Sequence, residues 1–516
     1  MIKRKAVILL HTHLGIELGS TRIKAVCIDN SFNTLSQGDY TWASKLENGV
    51  WTYDLDEAMI GIKKALSAIE NRESIASVGI SGMMHGYLAF DENWNLLVPF
   101  RTWQNTSTKK AAAMLTELFG FNIPQRWSIA HLCEALLKDE EHVGKVAHIT
   151  TLAGYIHHAL TGVNAVGIGE ASGIFPIDKS SLYYDEEMLD KFASLEIAKK
   201  LKYGIRDILP SVLPAGKEGG RLTKEGSLLI DSLLPESLLF APPEGDAGTG
   251  MVATNAVRPR TGNISAGTSI FSMTVLEENL KEVHEEIDMV TTPSGDPVAM
   301  VHCNNCTNES NNWAKLFSEA SALFGASPST EELYTKLYEK SLEGDDDCGG
   351  ITVCNYLAGE GVTHIDSGIP MITRNPESPL TLANLFKAQL YSSMATLKIG
   401  MDILFSENIS LDSFVGHGGL FKTKGVGQQY MANALNTPIT VMKTAGEGGA
   451  FGMAVLAKYS HDGAGLPLAD YLDGKVFKDS ERSTLLPSES GVEGFNKYTE
   501  RLKKIIELQK AAADLL

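Results

Sequence analysis

The sequence predicts an α/β protein built as two repeats of one domain plan, and three observations carry that expectation. Its 516 residues exceed what one hydrophobic core holds, since single cores stop growing near ~250–300 residues. Its 48 glycines gather in short clusters between apolar runs, the distribution expected of tight turns in an α/β fold. One kernel also occurs twice, about half the chain apart. Apolar strand, glycine, two hydroxyl residues and apolar strand appear around Gly19-Ser20-Thr21 and again around Gly267-Thr268-Ser269.

The elements follow in chain order. Ala6 to Asp29 reads as a strand, a glycine turn and a second strand whose near-continuous apolar run fits burial on both faces. Asp56 to Ile69 has helical spacing, and Ile75 to Ile80 reads as a strand. Ser81-Gly82-Met83-Met84-His85-Gly86 stands at that strand's end, where ligand-facing loops tend to lie. Residues 108–118 and 134–160 look helical, and 163–240 mixes short strands, loops and an acidic helix. The second hairpin spans Gly262 to Met273, a long amphipathic helix covers 381–405, and Phe495 to Leu516 is a terminal helix. Ser413 to Leu456 reads strand, glycine turn, helix, strand, glycine turn, helix. A division near residue 260 gives domains of 1–260 and 261–516.

A net charge of −18 without a basic patch argues against nucleic acid as a partner. No run approaches the roughly 20 apolar residues of a membrane span, and the N-terminus lacks a signal-peptide cleavage pattern. Six cysteines are too few for a disulfide scaffold of this length, so free thiols in a reducing cytoplasm are expected. Cys303-Asn304-Asn305-Cys306 is half of a zinc or redox motif without a matching second half, and reads as structural.

Phosphoryl transfer asks a protein for cradled phosphates, a metal and a base on the acceptor hydroxyl. In a Gly-Ser-Thr turn, glycine lets the backbone approach an anion and take positive φ, while the hydroxyls add donors. Gly19, Ser20, Thr21, Gly267 and Thr268 are therefore candidate phosphate ligands, with Lys24 in reach; plain hairpins and an exposed lysine are the alternatives. Asp246, in Pro243-Glu244-Gly245-Asp246-Ala247-Gly248, can serve as a general base or simply cap the helix that follows.

The ordered motifs resemble the FGGY carbohydrate kinases. They run Gly15-Ile16-Glu17-Leu18-Gly19-Ser20-Thr21, Gly82-Met83-Met84-His85-Gly86, Gly245-Asp246-Ala247-Gly248, Ser265-Ala266-Gly267-Thr268-Ser269, Gly416-His417-Gly418-Gly419 and Glu447-Gly448-Gly449-Ala450-Phe451-Gly452. The Met-His-Gly triplet and Gly400-Met401-Asp402 look most like the xylulose kinase branch. The resemblance implies two actin-like (ribonuclease H-like) domains around a central cleft, with sugar on the N-terminal domain and ATP on the C-terminal one. It implies Asp246 as catalytic base, and Glu17 with Asp246 at Mg²⁺. Met84, His85 and Trp103 would meet the sugar, and Gly418, Gly419, Gly446, Glu447 and Gly448 the nucleotide, with Gln428, Asn433 and Asn436 nearby. A homodimer would follow the habit of related enzymes.

The chain departs from the family pattern at four places. Glu17 stands where the family carries aspartate, Asn105 where an acidic residue is common, His131 where a lysine is typical and Gly361 where an arginine is typical. The alternative reading is an actin-like protein that uses ATP to change shape without phosphorylating a small molecule. A kinase for a polyol, a sugar acid or another ketose is the third.

Overall fold

Strand β1 (Thr12–Leu18) is the pivot of the first half. In the computed structural model, which describes residues 11–442, 448–463 and 465–513, it is buried along its length except at Glu17. It turns at Gly19-Ser20-Thr21 into antiparallel β2 (Arg22–Ile28), which pairs with β3 (Thr34–Thr41). Its other edge pairs in parallel with β4 (Ile75–Gly82). Leu239–Phe240 extends the sheet beyond β4, and Glu244–Gly245 pairs with the end of β4.

Alternation along β1 sorts its side chains between two helix layers. Leu14, Ile16 and Leu18 enter a core with Ile23 of β2 and Ala58, Ile62 and Ala65 of helix α1 (Leu55–Ser67). His13, Gly15 and Glu17 face the other way. Here lie α2 (Asp246–Ala253) and α3 (Gly449–Asp462). A Cβ on Gly15 would come 2.1 Å from the Ala450 carbonyl oxygen, and one on Gly79 of β4 would strike Met453. A Cβ on Gly452 would come 2.0 Å from the Thr249 carbonyl oxygen of α2. These three glycines let α3 lie flush on the sheet and on α2, backbone against backbone.

The second half repeats the plan. Antiparallel β5 (Thr261–Ala266) and β6 (Ile270–Val275) form its hairpin, and β7 (Ser413–Gly418) pairs in parallel with β5, followed by β8 (Ile439–Met442). Pro297–Cys303 lies beside β6. The orders β3-β2-β1-β4 and Pro297–Cys303-β6-β5-β7 are thus one topology used twice. The repeated kernel sits at the same hairpin in both, as the sequence predicts.

The chain contacts fall into two units. The first holds the chain to Arg258, Met289–Val298 and the stretch through Asp479 that contains α3; the second holds Pro259–Asp288, the chain onward from Ala299, and the chain from Ser480. The division near residue 260 is therefore followed by a return to the first unit late in the chain.

Most expected elements stand where the patterns put them, including the long helix Leu382–Ser406, capped by Thr381 accepting from the Asn384 amide. The helix expected over 134–160 is corrected to two, Ser128–Leu137 and Leu152–Thr161, with the short strand His148–Thr150 between. Asp139, at φ 52°, leaves the helical region just past the first, and the Thr151 side chain caps the second by accepting from the Gly154 amide. The terminal helix begins earlier than Phe495, at Glu489. Among the described residues no helix is long and apolar enough to cross a membrane.

Candidate active site

Asp246 opens α2 at the point where Glu244–Gly245 pairs with Ser81–Gly82 at the end of β4. Its Oδ1 accepts from the Met84 amide at 3.1 Å and from the Ala247 amide at 3.0 Å. No donor from another described residue reaches Oδ2, and the residue is open to solvent. Asp246 is nevertheless surrounded by protein. That burial raises its pKa above the ordinary aspartate value, against the downward pull of the amides. One oxygen is anchored and the other is presented.

Glu17, at the end of β1, reaches the N-terminus of α3. Its Oε2 accepts from the Ala450 amide at 3.1 Å, and a Cβ on Gly449 would come 2.4 Å from Oε1. A carboxylate at a helix N-terminus is favoured by the exposed amides and the dipole. Burial raises its pKa first and the Asp246 charge next, while Lys24 and the Ala450 amide lower it. Lys24 is directly across the hairpin from Glu17, with Nζ 4.0 Å from where a Gly448 Cβ would be. Ser81, beside Glu17 on the parallel strand, brings its Oγ to 3.1 Å from Thr249 Oγ1 of α2.

The Gly19-Ser20-Thr21 turn is fixed from behind. Trp42 donates its indole N–H to the Gly19 carbonyl at 2.7 Å and its amide to the Thr21 carbonyl at 3.2 Å, and Tyr53 donates its hydroxyl to the Ser20 carbonyl at 2.8 Å. Ser20 and Thr21 are left exposed. The matching turn in the second unit is held by different means: the Cys306 amide donates to the Thr268 carbonyl and the Thr307 hydroxyl to the Gly267 carbonyl. Neither Gly19 nor Gly267 adopts the positive φ anticipated for such turns. Gly267 provides open space, since a Cβ there would meet nothing nearer than 4.0 Å, whereas one on Gly19 would come 3.1 Å from the Arg22 carbonyl oxygen. Gly418 at the end of β7 does require glycine: φ is 98°, and a Cβ would lie 2.3 Å from the Ala266 carbonyl oxygen. Gly418 and Gly419 are exposed, and Gly448 precedes α3 at φ 81°. Gly446 and Glu447 lie outside the described residues.

The remaining candidates divide. Met84 and His85 are almost completely buried, at 7% and 6% exposure. Met84 brings its backbone amide to Asp246. His85, at φ 72°, stacks against Trp127, and burial and then Arg126 hold it far below the usual histidine pKa, hence neutral. Trp103 is 41% exposed, on a loop that Asn105 ties to both backbone groups of Trp51. His131 is buried and stacked on Tyr87, and burial followed by Arg101 lowers its pKa to about 3. A Cβ on Gly361 would meet open space. Gln428 joins the Ile439 and Ser483 carbonyls, Asn433 accepts from Ser488, and Asn436 caps its helix, so all three have structural employment. The thiols of Cys303 and Cys306 are buried, with Cys306 pushed up to about 12, which fits a structural role.

Two residues at the site escaped the sequence reading. Glu244 and Glu170, both buried, lie behind Asp246: Glu244 Oε2 accepts from the Glu170 amide at 3.0 Å, and a Cβ on Gly245 would come 2.5 Å from Glu170 Oε2. Burial raises Glu244 to about 8 and carries Glu170 well above the usual carboxylate range. The signal was an acid set among small and apolar residues, in Pro243-Glu244-Gly245 and in Gly169-Glu170-Ala171.

Residues 12–230 match the N-terminal domain, and residues 262–461 the C-terminal domain, of the FGGY family of carbohydrate kinases. A xylulose kinase of Haemophilus influenzae is 22% identical over 510 residues, covering 95% of this chain and 98% of its own. Ligand-bound xylulose kinase from Lactobacillus acidophilus superposes with a TM-score of 0.80 at 16% identity, over 97% of this chain and 98% of that one. Gluconate kinase from the same organism gives 0.79 at 17% identity, over 97% and 99%. At these identities the solved structures speak for the fold, which is actin-like in both units.

Proposed function

Since the chain belongs to the FGGY family of carbohydrate kinases, and is therefore a sugar kinase using ATP, we propose that it phosphorylates a hydroxyl of a ketose such as xylulose with Asp246 as general base. The observation that carries this is the asymmetric carboxylate of Asp246. Two amides fix Oδ1, so Oδ2 keeps a constant orientation toward an incoming hydroxyl. Its raised pKa makes it a stronger base than a free aspartate. As the sugar oxygen attacks the γ-phosphorus, Oδ2 takes the hydroxyl proton.

Glu17 and Asp246 fit a magnesium ion, a hard cation that prefers carboxylate oxygens and retained waters. Gly449 keeps the space beside Glu17 Oε1 clear. The ion would supply charge neutralisation on the phosphates. Ser20, Thr21 and Lys24, and in the second unit Gly267 and Thr268, are assigned to phosphate oxygens; Gly418, Gly419 and Gly448 are assigned to the nucleotide. Trp103 offers the sugar an apolar face, and the buried Met84-His85 turn acts chiefly by holding Asp246. The xylulose kinase relatives support a ketose as substrate, and a reducing cytoplasm suits the six unpaired cysteines.

ADP release from MgATP across ketoses, aldoses, polyols and sugar acids tests the reading. Stimulation confined to a ketose is expected. Stimulation by a sugar acid or polyol alone would replace the substrate class, and flat traces with ATP still bound would favour a nucleotide-gated binding protein.

A further inference from the structure

The end of β1 remote from Glu17 carries a second cluster, unrelated to phosphoryl transfer. His11 and His13 lie two residues apart at the strand's start, and their rings come within 5.8 and 5.3 Å, centroid to centroid, of His461 in the last turn of α3. Asp462 ends that helix. Ligand atoms from His13, His461 and Asp462 all lie within 4.8 Å of one another.

A hydrogen-bond chain runs through His13, which is fully buried. Ser77 Oγ donates to the Ala457 carbonyl at 2.8 Å, because a carbonyl can only accept. With that hydrogen on Ala457, Ser77 Oγ is an acceptor 2.7 Å from His13 Nδ1, the arrangement that a cation on Nε2 would select. In that tautomer His13 Nε2 carries a lone pair. It faces another acceptor, Asn30 Oδ1, at 3.4 Å, and that oxygen already accepts from Lys458 at 3.0 Å. A lone pair turned toward a second acceptor is a poor hydrogen bond and a good cation ligand. Metal-binding histidines characteristically donate their other ring N–H in this way to a fixed acceptor. Burial, and after it the Lys458 ammonium, lowers His13 to about 4, so the ring is neutral.

We propose that His11, His13, His461 and Asp462 form a zinc site that clips the start of β1 to the C-terminal end of α3. Imidazole and carboxylate donors in fours suit zinc better than magnesium or calcium, which take oxygen ligands. The negative end of the α3 dipole adds to the attraction. Lys458, 2.5 Å from Asp462 Oδ2, shares that carboxylate with the metal, and the other oxygen lies 3.4 Å from the Tyr471 hydroxyl. His461 and His11 are exposed, which leaves their side chains room to rotate toward a bound ion.

Tag-free full-length protein, stripped with chelator, is titrated with Zn²⁺ by calorimetry and with Co²⁺ by visible absorption. One equivalent is expected, with intense tetrahedral cobalt bands and a zinc-dependent rise in Tm. His461→Ala is exposed enough to leave the fold and the kinase turnover unchanged, and should weaken binding by about tenfold or more. His11→Ala should weaken it too. No zinc uptake by the wild type, or equal uptake and affinity in His461→Ala, would overturn the site.

Discussion

The two hairpins of this protein share a topology and differ in what stands just before the turn. In the first, Glu17 occupies the second position before the glycine and Ser81 lies beside it on the parallel strand. In the second, those places hold Ser265 and His417. Around the first gather Asp246, Glu170 and Glu244, and around the second no carboxylate takes an equivalent place on the hairpin. One scaffold carries acids at its first hairpin and neutral donors with bare backbone at its second. Even the fastening differs: aromatic side chains pin the first turn, and the amide of Cys306 with the amide and hydroxyl of Thr307 pin the second.

Asp246→Asn breaks the acidic side of this comparison most directly. General-base catalysis contributes about 10²–10⁴-fold, so turnover should fall by that factor while calorimetric ATP affinity stays within about twofold. Near-normal turnover would remove the base from Asp246.

The buried acids sharpen the comparison through pH. Glu244 titrates at about 8 in the fold against 4.5 for an ordinary glutamate. Its folded pKa is raised, so its contribution is fully present below pH 4.5 and is lost as pH rises toward 8. Within that window stability should decline by about 1.4 kcal/mol per pH unit from this group. Glu244→Gln keeps the neutral shape and should flatten that slope in urea melts from pH 5 to 8. An unchanged slope would show that the group is ionised in the folded state.

The smallest contrast concerns the glycines that end β4 and β7. Gly418→Ala meets positive φ and a carbonyl oxygen, and should cost about 1–3 kcal/mol or more. Gly82→Ala, at ordinary φ with its nearest neighbour at 3.1 Å, should cost less. Thermal denaturation of the two variants, with Tm shifts in the opposite order, would disprove the distinction.

The sequence made the duplicated hairpin legible because glycine, paired hydroxyls and alternating apolar residues act locally. Asp246 and Glu17 were legible as motif members. The attachment of α3 to the first sheet was not, because periodicity tells that a helix has an apolar face and not which sheet receives it. The close approach of Gly15, Gly79 and Gly452 belongs to three segments far apart in the chain. Glu170 was hidden for the same reason: its partner Glu244 is distant in sequence, and only the fold reveals that the two acids share one dry environment. The single helix expected over 134–160 failed at Asp139, where a local left-handed turn outweighs the apolar run on either side.

The late return of α3 to the first sheet has a consequence for how the protein is made. Gly15, Gly79 and Thr249 leave the ribosome long before Gly452, so the nascent first unit spends most of its synthesis with one face of its central strands uncovered. That face cannot be sealed until the chain has been extended past Asp462. The N-terminal half is therefore not an independent folding domain in the order of translation, and a chain truncated near residue 260 should need chaperone protection or aggregate.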